Sequence, residues 1–264
     1  MFVNGRKILK LLNNFAPFEH AQTWDNVGFI IGNEDLEVDR VLVALEINDA
    51  VVDEAIEESC DLIVVHHPLI FKAMAKITAN DPIGRLVLKL IKHDIKVIAA
   101  HTNLDATQGG LNDYLVELLG AETIKVVPEE DPSSILRIAE LPFAMDINRF
   151  ADYAKKKLEA NGVRVVKAHD DEITRFAVCT GAGMDFVKLA LEHNCTTLLT
   201  GDVKYHEAMD AISLGMNVID AGHFDTENIY MERLTQKLKL MSMDQDYEVN
   251  FLVSKALKNP FEYV

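Results

Sequence analysis

Cysteine is scarce, with three in 264 residues. Cys60, Cys179 and Cys195 stand singly among apolar neighbours, with no CxxC pair and an odd total, so neither a disulfide framework nor a zinc ribbon is indicated. Basic charge is short as well: 26 Lys and Arg face 42 Asp and Glu, for a formal net charge of −16. Such a chain repels nucleic-acid phosphate and anionic membrane. The densest basic stretch, Lys155-Lys156-Lys157, falls in a helical pattern with Tyr153 and Leu158 and reads as a solvated helix face, which argues against nucleic acid as a partner. No apolar run approaches the roughly 18 residues of a membrane span. The opening residues, Met1 to Lys7, lead into an amphipathic pattern instead of a signal-peptide core. The expectation is a cytoplasmic globular protein.

Apolar residues make up 49% of the chain, ample for one large or two medium domains. Residues 5–15 carry an apolar stripe at helical spacing. Strand patterns over 28–32, 40–47, 62–65 and 96–100 alternate with helical patterns over 50–59, 83–93 and 111–119. That order forces parallel pairing through crossover helices. The acidic, proline-bounded Pro128-Glu129-Glu130-Asp131-Pro132 reads as a link to a second lobe. The expected fold class is therefore α/β and two-lobed, with mostly parallel sheets flanked by helices. Residues 1–127 with 196–264 would form the larger, discontinuous α/β lobe, and 128–195 a smaller inserted one.

The stretch from Asp61 to Pro68, Asp-Leu-Ile-Val-Val-His-His-Pro, anchors the chemistry. A buried strand ends in two histidines, and Pro68 holds His67 in extended backbone. Neighbouring side chains of a strand point to opposite sides, so His66 and His67 are not expected to chelate one ion together. Ligands of open α/β sheets gather outside the carboxyl ends of parallel strands. His66, His67, His101 and Asp105 are thereby driven toward one region, and His223 and Glu227, four apart, share one face of a helical first turn. Imidazole and carboxylate without thiolate suit zinc, iron, manganese or nickel. Asp202, His206 and Glu207 follow another strand end and are candidates to orient ligands or move protons. Trp24, with the turn after it, reads as a core aromatic. His169, His193 and Cys179 read as structural.

Five strings in order, Trp24-Asp25-Asn26-Val27-Gly28, His66-His67-Pro68, His101-Thr102-Asn103-Leu104-Asp105, Thr200-Gly201-Asp202 with Tyr205-His206-Glu207, and Gly222-His223 with Glu227, resemble the NIF-three-like family, whose members are often labelled GTP cyclohydrolase 1 type 2 homologues. The resemblance spans nearly the whole chain. It implies a two-lobed α/β subunit with two divalent metal ions, assembled into a homohexameric ring. It also implies His66, His67, Asp105, His223 and Glu227 as ligands, Glu227 bridging, with His101 beside the metals as ligand or general base. His206, read from its place after a strand end, is the second catalytic candidate. An inserted domain carried by some members does not fit between Asp105 and Thr200. A two-metal site makes hydrolysis of a phosphoester, an amide or a purine-like ring the natural reaction class, and the leading reading is a metal-dependent hydrolase of a nucleotide or related small molecule. The rival reading is a metal-binding scaffold, chaperone or regulatory partner that performs no catalysis.

Overall fold

A computed structural model describes residues 2–264 of the chain. It runs through α1 (Gly5–Phe15), β1 (Gly28–Ile31), β2 (Arg40–Ala44), α2 (Asp49–Glu57), β3 (Leu62–Val65), α3 (Pro82–Lys92) and β4 (Lys96–Ala99). Then come α4 (Thr102–Ala106), α5 (Leu111–Leu118), β5 (Glu122–Val127), β6 (Leu136–Met145), α6 (Ile147–Lys157), β7 (Arg164–Val166) and β8 (Ile173–Ala182). The remainder is α7 (Val187–Glu192), β9 (Thr197–Gly201), α8 (Tyr205–Ser213), β10 (Asn217–Asp220), α9 (His223–Glu227), α10 (Ile229–Met243) and β11 (Asn250–Val253). None of the helices among the described residues is long and apolar enough to cross a membrane.

Contacts divide the chain into two units, Met1–Leu104 with Tyr230–Lys258, and Asp105–Ile229 with Asn259–Val264. The first holds a five-stranded sheet ordered β1-β4-β3-β2-β11, parallel except for the edge pair of β1 with β4. Its helices start where capping chemistry dictates. Asn48 Oδ1 accepts from Val51 N at 2.9 Å, and Asp81 Oδ1 from Gly84 N at 2.8 Å with Pro82 in the first turn. Val51, Val52 and Ala55 of α2, and Leu86, Val87 and Leu90 of α3, then bury their apolar stripes against Leu42, Ile63, Val65 and Val97 of the sheet. Each of the Val, Leu and Ile side chains contributes about 1.5–3 kcal/mol by leaving water.

The second unit holds a six-stranded sheet ordered β5-β6-β8-β9-β10-β7. It is mixed, with β8, β9 and β10 parallel and the outer pairings antiparallel. Helices α5 and α6 cover one face and α7 and α8 the other. The lysine run 155–157 closes the last turn of α6, where positive charge opposes the negative end of the helix dipole.

The division differs from the expected one. Residues 128–195 are no separate insert, because β8 pairs with β9 through Ala177↔Leu198 and Val178↔Leu199, and β9 continues the ladder to β10. The strands over 197–201 and 217–220 thus belong to the sheet of the second unit. The candidate ligands consequently follow strands of two sheets, where one was expected.

Candidate metal centre

In the first unit the ladder continues past its strands. His66 N donates to Ala44 O at 3.2 Å, His67 N to Leu45 O at 2.8 Å, and Ala100 N to Val65 O at 2.9 Å. The parallel register of β3 on β4 therefore sets the His66-His67 pair beside the segment that carries His101. The three rings converge, with centroids 5.0 Å apart for His66 and His67, 5.0 Å for His66 and His101, and 5.5 Å for His67 and His101. One nitrogen of each lies within 4.8 Å of those of the other two. Strand alternation would have sent His66 and His67 apart. The chain bends at both residues once β3 ends, so the two-residue period no longer governs them.

Hydrogen bonds select the nitrogen that each ring presents. His66 Nδ1–H donates to the Ala100 carbonyl at 2.9 Å, and His101 Nδ1–H to Asp25 Oδ1 at 2.9 Å, so in both rings Nε2 carries the lone pair. His67 Nδ1 stands 3.8 Å from Glu46 Oε2. Asp25 also accepts from Thr102 N at 3.1 Å and Thr102 Oγ1 at 2.5 Å. Burial of the Asp25 side chain raises its pKa, but the hydrogen bonds from His101 and Thr102 outweigh this and hold it at about 2. Asp25 is the residue that sequence reasoning passed over, because an acid beside an apparent core tryptophan reads as a turn. The string 24–28 carried the only signal. Trp24 itself lies outside the core, 58% exposed. Asp25→Ala should lower the unfolding free energy by about 1.5–3 kcal/mol, the range for a hydrogen bond to a charged group. Urea titration of the two proteins checks this, and equal midpoints would count against it.

In the second unit α9 is a short helix of its own, followed by α10. Its four-residue spacing does place His223 Nε2 3.0 Å from Glu227 Oε2. His223 Nδ1–H donates to Asp202 Oδ2 at 2.7 Å. Asp202 follows β9 in left-handed backbone, φ 54°, a conformation that Asp tolerates better than most residues. With Nδ1–H committed, Nε2 turns a lone pair toward a carboxylate oxygen. A proton or a cation between them is what makes that distance favourable. Gly181, φ 64°, shapes the cradle: a Cβ there would stand 2.2 Å from Glu227 Oε1 and 3.1 Å from His223 Nε2. At Gly201 a Cβ would stand 2.6 Å from His223 N and 2.7 Å from Gly181 O, so the ends of β8 and β9 meet α9 backbone to backbone. This donor set, imidazole and carboxylate without thiolate, fits a divalent cation.

Asp105 is buried on α4, four residues after His101. Its main chain is gripped by Arg137, wholly buried, whose Nη2 donates to the carbonyls of Asp105 at 3.3 Å, Ala106 at 2.8 Å and Thr107 at 3.4 Å. Asn112 Nδ2 donates to the same Asp105 carbonyl at 3.2 Å, and Asn112 Oδ1 accepts from Thr180 N at 2.9 Å. Gly181 N in turn donates to Thr226 Oγ1 at 3.1 Å. A buried polar chain thus runs from the backbone of Asp105 to the helix of Glu227. Burial raises the pKa of Cys179, and the charges of Asp105 and Glu227 raise it further, so its thiol stays protonated.

The remaining candidates have plainer places. His206 is exposed on α8, its ring 5.3 Å from that of Tyr205. Glu207 caps its own helix, accepting from Lys204 N at 2.9 Å and Lys204 Nζ at 3.0 Å, and those bonds lower its pKa. Its assignment as a proton carrier gives way to that local role.

Residues 3–260 match the family described as Duf34/NIF3 (NGG1p interacting factor 3). A Clostridium perfringens protein named GTP cyclohydrolase 1 type 2 homolog is 34% identical over 260 residues, covering 97% of this chain and 98% of the relative. A Bacillus subtilis protein of the same name is 29% identical over 370 aligned positions that cover 99% of each chain, so that relative is longer than this one. The crystal structure of a Staphylococcus aureus hypothetical protein superposes with a TM-score of 0.93 at 31% identity, covering 99% of each chain. The family match, the sequence identity and the fold agree: this chain belongs to the Duf34/NIF3 family.

Proposed function

We propose that this protein is a metal-dependent hydrolase of a nucleotide or related small molecule, using two divalent ions held by His66, His67, Asp105, His223 and Glu227. The observation that carries the reading is the triad of His66, His67 and His101, with three ring nitrogens within 4.8 Å of one another. The name borne by the relatives, GTP cyclohydrolase 1 type 2 homolog, supports the substrate class. When bound, such ions would supply Lewis acidity toward a substrate oxygen and acidify water.

The protein's own part is to aim and to move protons. His66 is locked by the Ala100 carbonyl and His223 by Asp202, so each offers a defined nitrogen. His101 Nε2 is the proton acceptor, and Asp25, ionised at any physiological pH, stabilises the imidazolium that results. Glu227, buried beside His223, supplies negative charge to offset that of the cations.

Elemental analysis of protein purified without added metal should find about two ions per chain, with clear loss in His67→Ala and in Glu227→Ala. Turnover on a panel of nucleotides and phosphoesters should vanish in Asp105→Ala. Metal-free protein as isolated from metal-rich medium would overturn the site. Full metal content without turnover on any substrate would leave a binding protein in place of an enzyme.

A further inference from the structure

The polar machinery around His101 leaves two large rings beside it in water. Trp24, the single tryptophan of the chain, is 58% exposed, and Phe71 is 45% exposed. Trp24 lies 6.2 Å from the His101 ring at 75°, Phe71 lies 6.4 Å from it at 79°, and the two aromatic rings stand 5.8 Å apart at 60°. Exposed aromatic surface of this kind is unfavourable in water unless something covers it. Here it is fixed in place. Asn26 Nδ2 donates to the Ile70 carbonyl at 2.5 Å, tying the loop of Trp24 to that of Phe71, while Asp25 between them holds His101 and Thr102. Three consecutive residues thus supply a ring, an anchor for the histidine and a pin for the second aromatic loop. Lys72, exposed, follows Phe71 directly and carries a positive charge on the same loop.

We propose that Trp24 and Phe71 form a stacking surface that holds a planar heteroaromatic ring of the nucleobase class beside His101, with Lys72 facing an anionic substituent. The inference rests on the reading that the histidine cluster is where the chemistry occurs, and names the part of the substrate recognised there. Steeply angled rings leave a π-face open, and any flat base satisfies it, since stacking needs no particular hydrogen-bond pattern.

The lone indole is its own reporter. Its fluorescence is titrated with GMP and with AMP, and with ribose 5-phosphate as a ringless control, on protein as isolated and after chelator treatment. At least one nucleotide should quench saturably and ribose 5-phosphate should not. Phe71→Ala should weaken the fitted Kd by about 5- to 150-fold, the range for one lost base–aromatic contact. Trp24→Ala, with circular dichroism confirming that it folds, should lose retention of the same nucleotide in equilibrium dialysis. Absence of saturable quenching by both nucleotides, equal quenching by ribose 5-phosphate, or an unchanged Kd in Phe71→Ala overturns the proposal. Saturable quenching in protein that elemental analysis finds metal-free as isolated upholds the stacking surface and removes the metal reading. Two bound ions without quenching remove the stacking surface alone.

Discussion

Arg137→Met should lower the unfolding free energy by about 3–5 kcal/mol, the cost of removing one partner from a buried ion pair. Arg137 is fully buried, with Nε donating to Asp113 Oδ1 at 2.5 Å, Nη1 to the Ser134 carbonyl at 2.9 Å, and Nη2 to three carbonyls over 105–107. Methionine fills similar space but donates nothing. The Asp113 carboxylate then loses its countercharge, and the end of α4 loses the donor that satisfies its carbonyls. The thermal midpoint should drop on the order of 10 °C. Arg137→Lys, which keeps the charge but loses the planar fork, should fall between. A melting curve of Arg137→Met that overlays the wild type would show that the guanidinium is dispensable. The loss would also reach the candidate site, because the same guanidinium grips the main chain of Asp105.

Gly181→Ala works in the opposite way, with a small effect on the fold and a large one on the site. The positive φ costs a non-glycine residue about 1–2 kcal/mol. The methyl, however, would arrive 2.2 Å from Glu227 Oε1, inside contact distance, and the buried Glu227 must swing away from His223. Metal affinity should weaken by roughly 10–100-fold, as when the partner that orients a ligand is removed. Competition against a chromophoric chelator measures it, with a melting curve in parallel. Unchanged affinity would mean that Glu227 takes no part in binding.

How much was legible in the chain can be judged residue by residue. The strand at 62–65 and the helix at 5–15 form as read, because a β-branched apolar run and a 3.6-residue stripe are local signals. The parallel pairing of 62–65 with 96–99 was legible too, since a crossover helix between two strands leaves little alternative. It brought His66 and His101 together. The facing of His223 and Glu227 followed from their spacing alone. The short strand over 122–127 was not legible as such. Its alternation is weak, and it exists through antiparallel pairing with residues 136–140.

Asp25 and Trp24 mark the limit most clearly. Nothing local distinguishes an acid that orients a histidine 76 positions away from one that ends a turn, and nothing local says that a tryptophan stays in water. The chain's own order of residues determined which groups could ligate: five histidine and carboxylate positions after apolar runs, no clustered thiols, and a helical spacing that pairs 223 with 227. The tertiary structure alone decided that the runs divide between two sheets, that a bend after residue 65 brings adjacent imidazoles to one place, and that buried Arg137, Asn112 and Asp25 aim the donors. The physical reason is that residue type and periodicity act over a few positions, whereas hydrogen bonds between distant segments form only once burial has made leaving them unmade too costly.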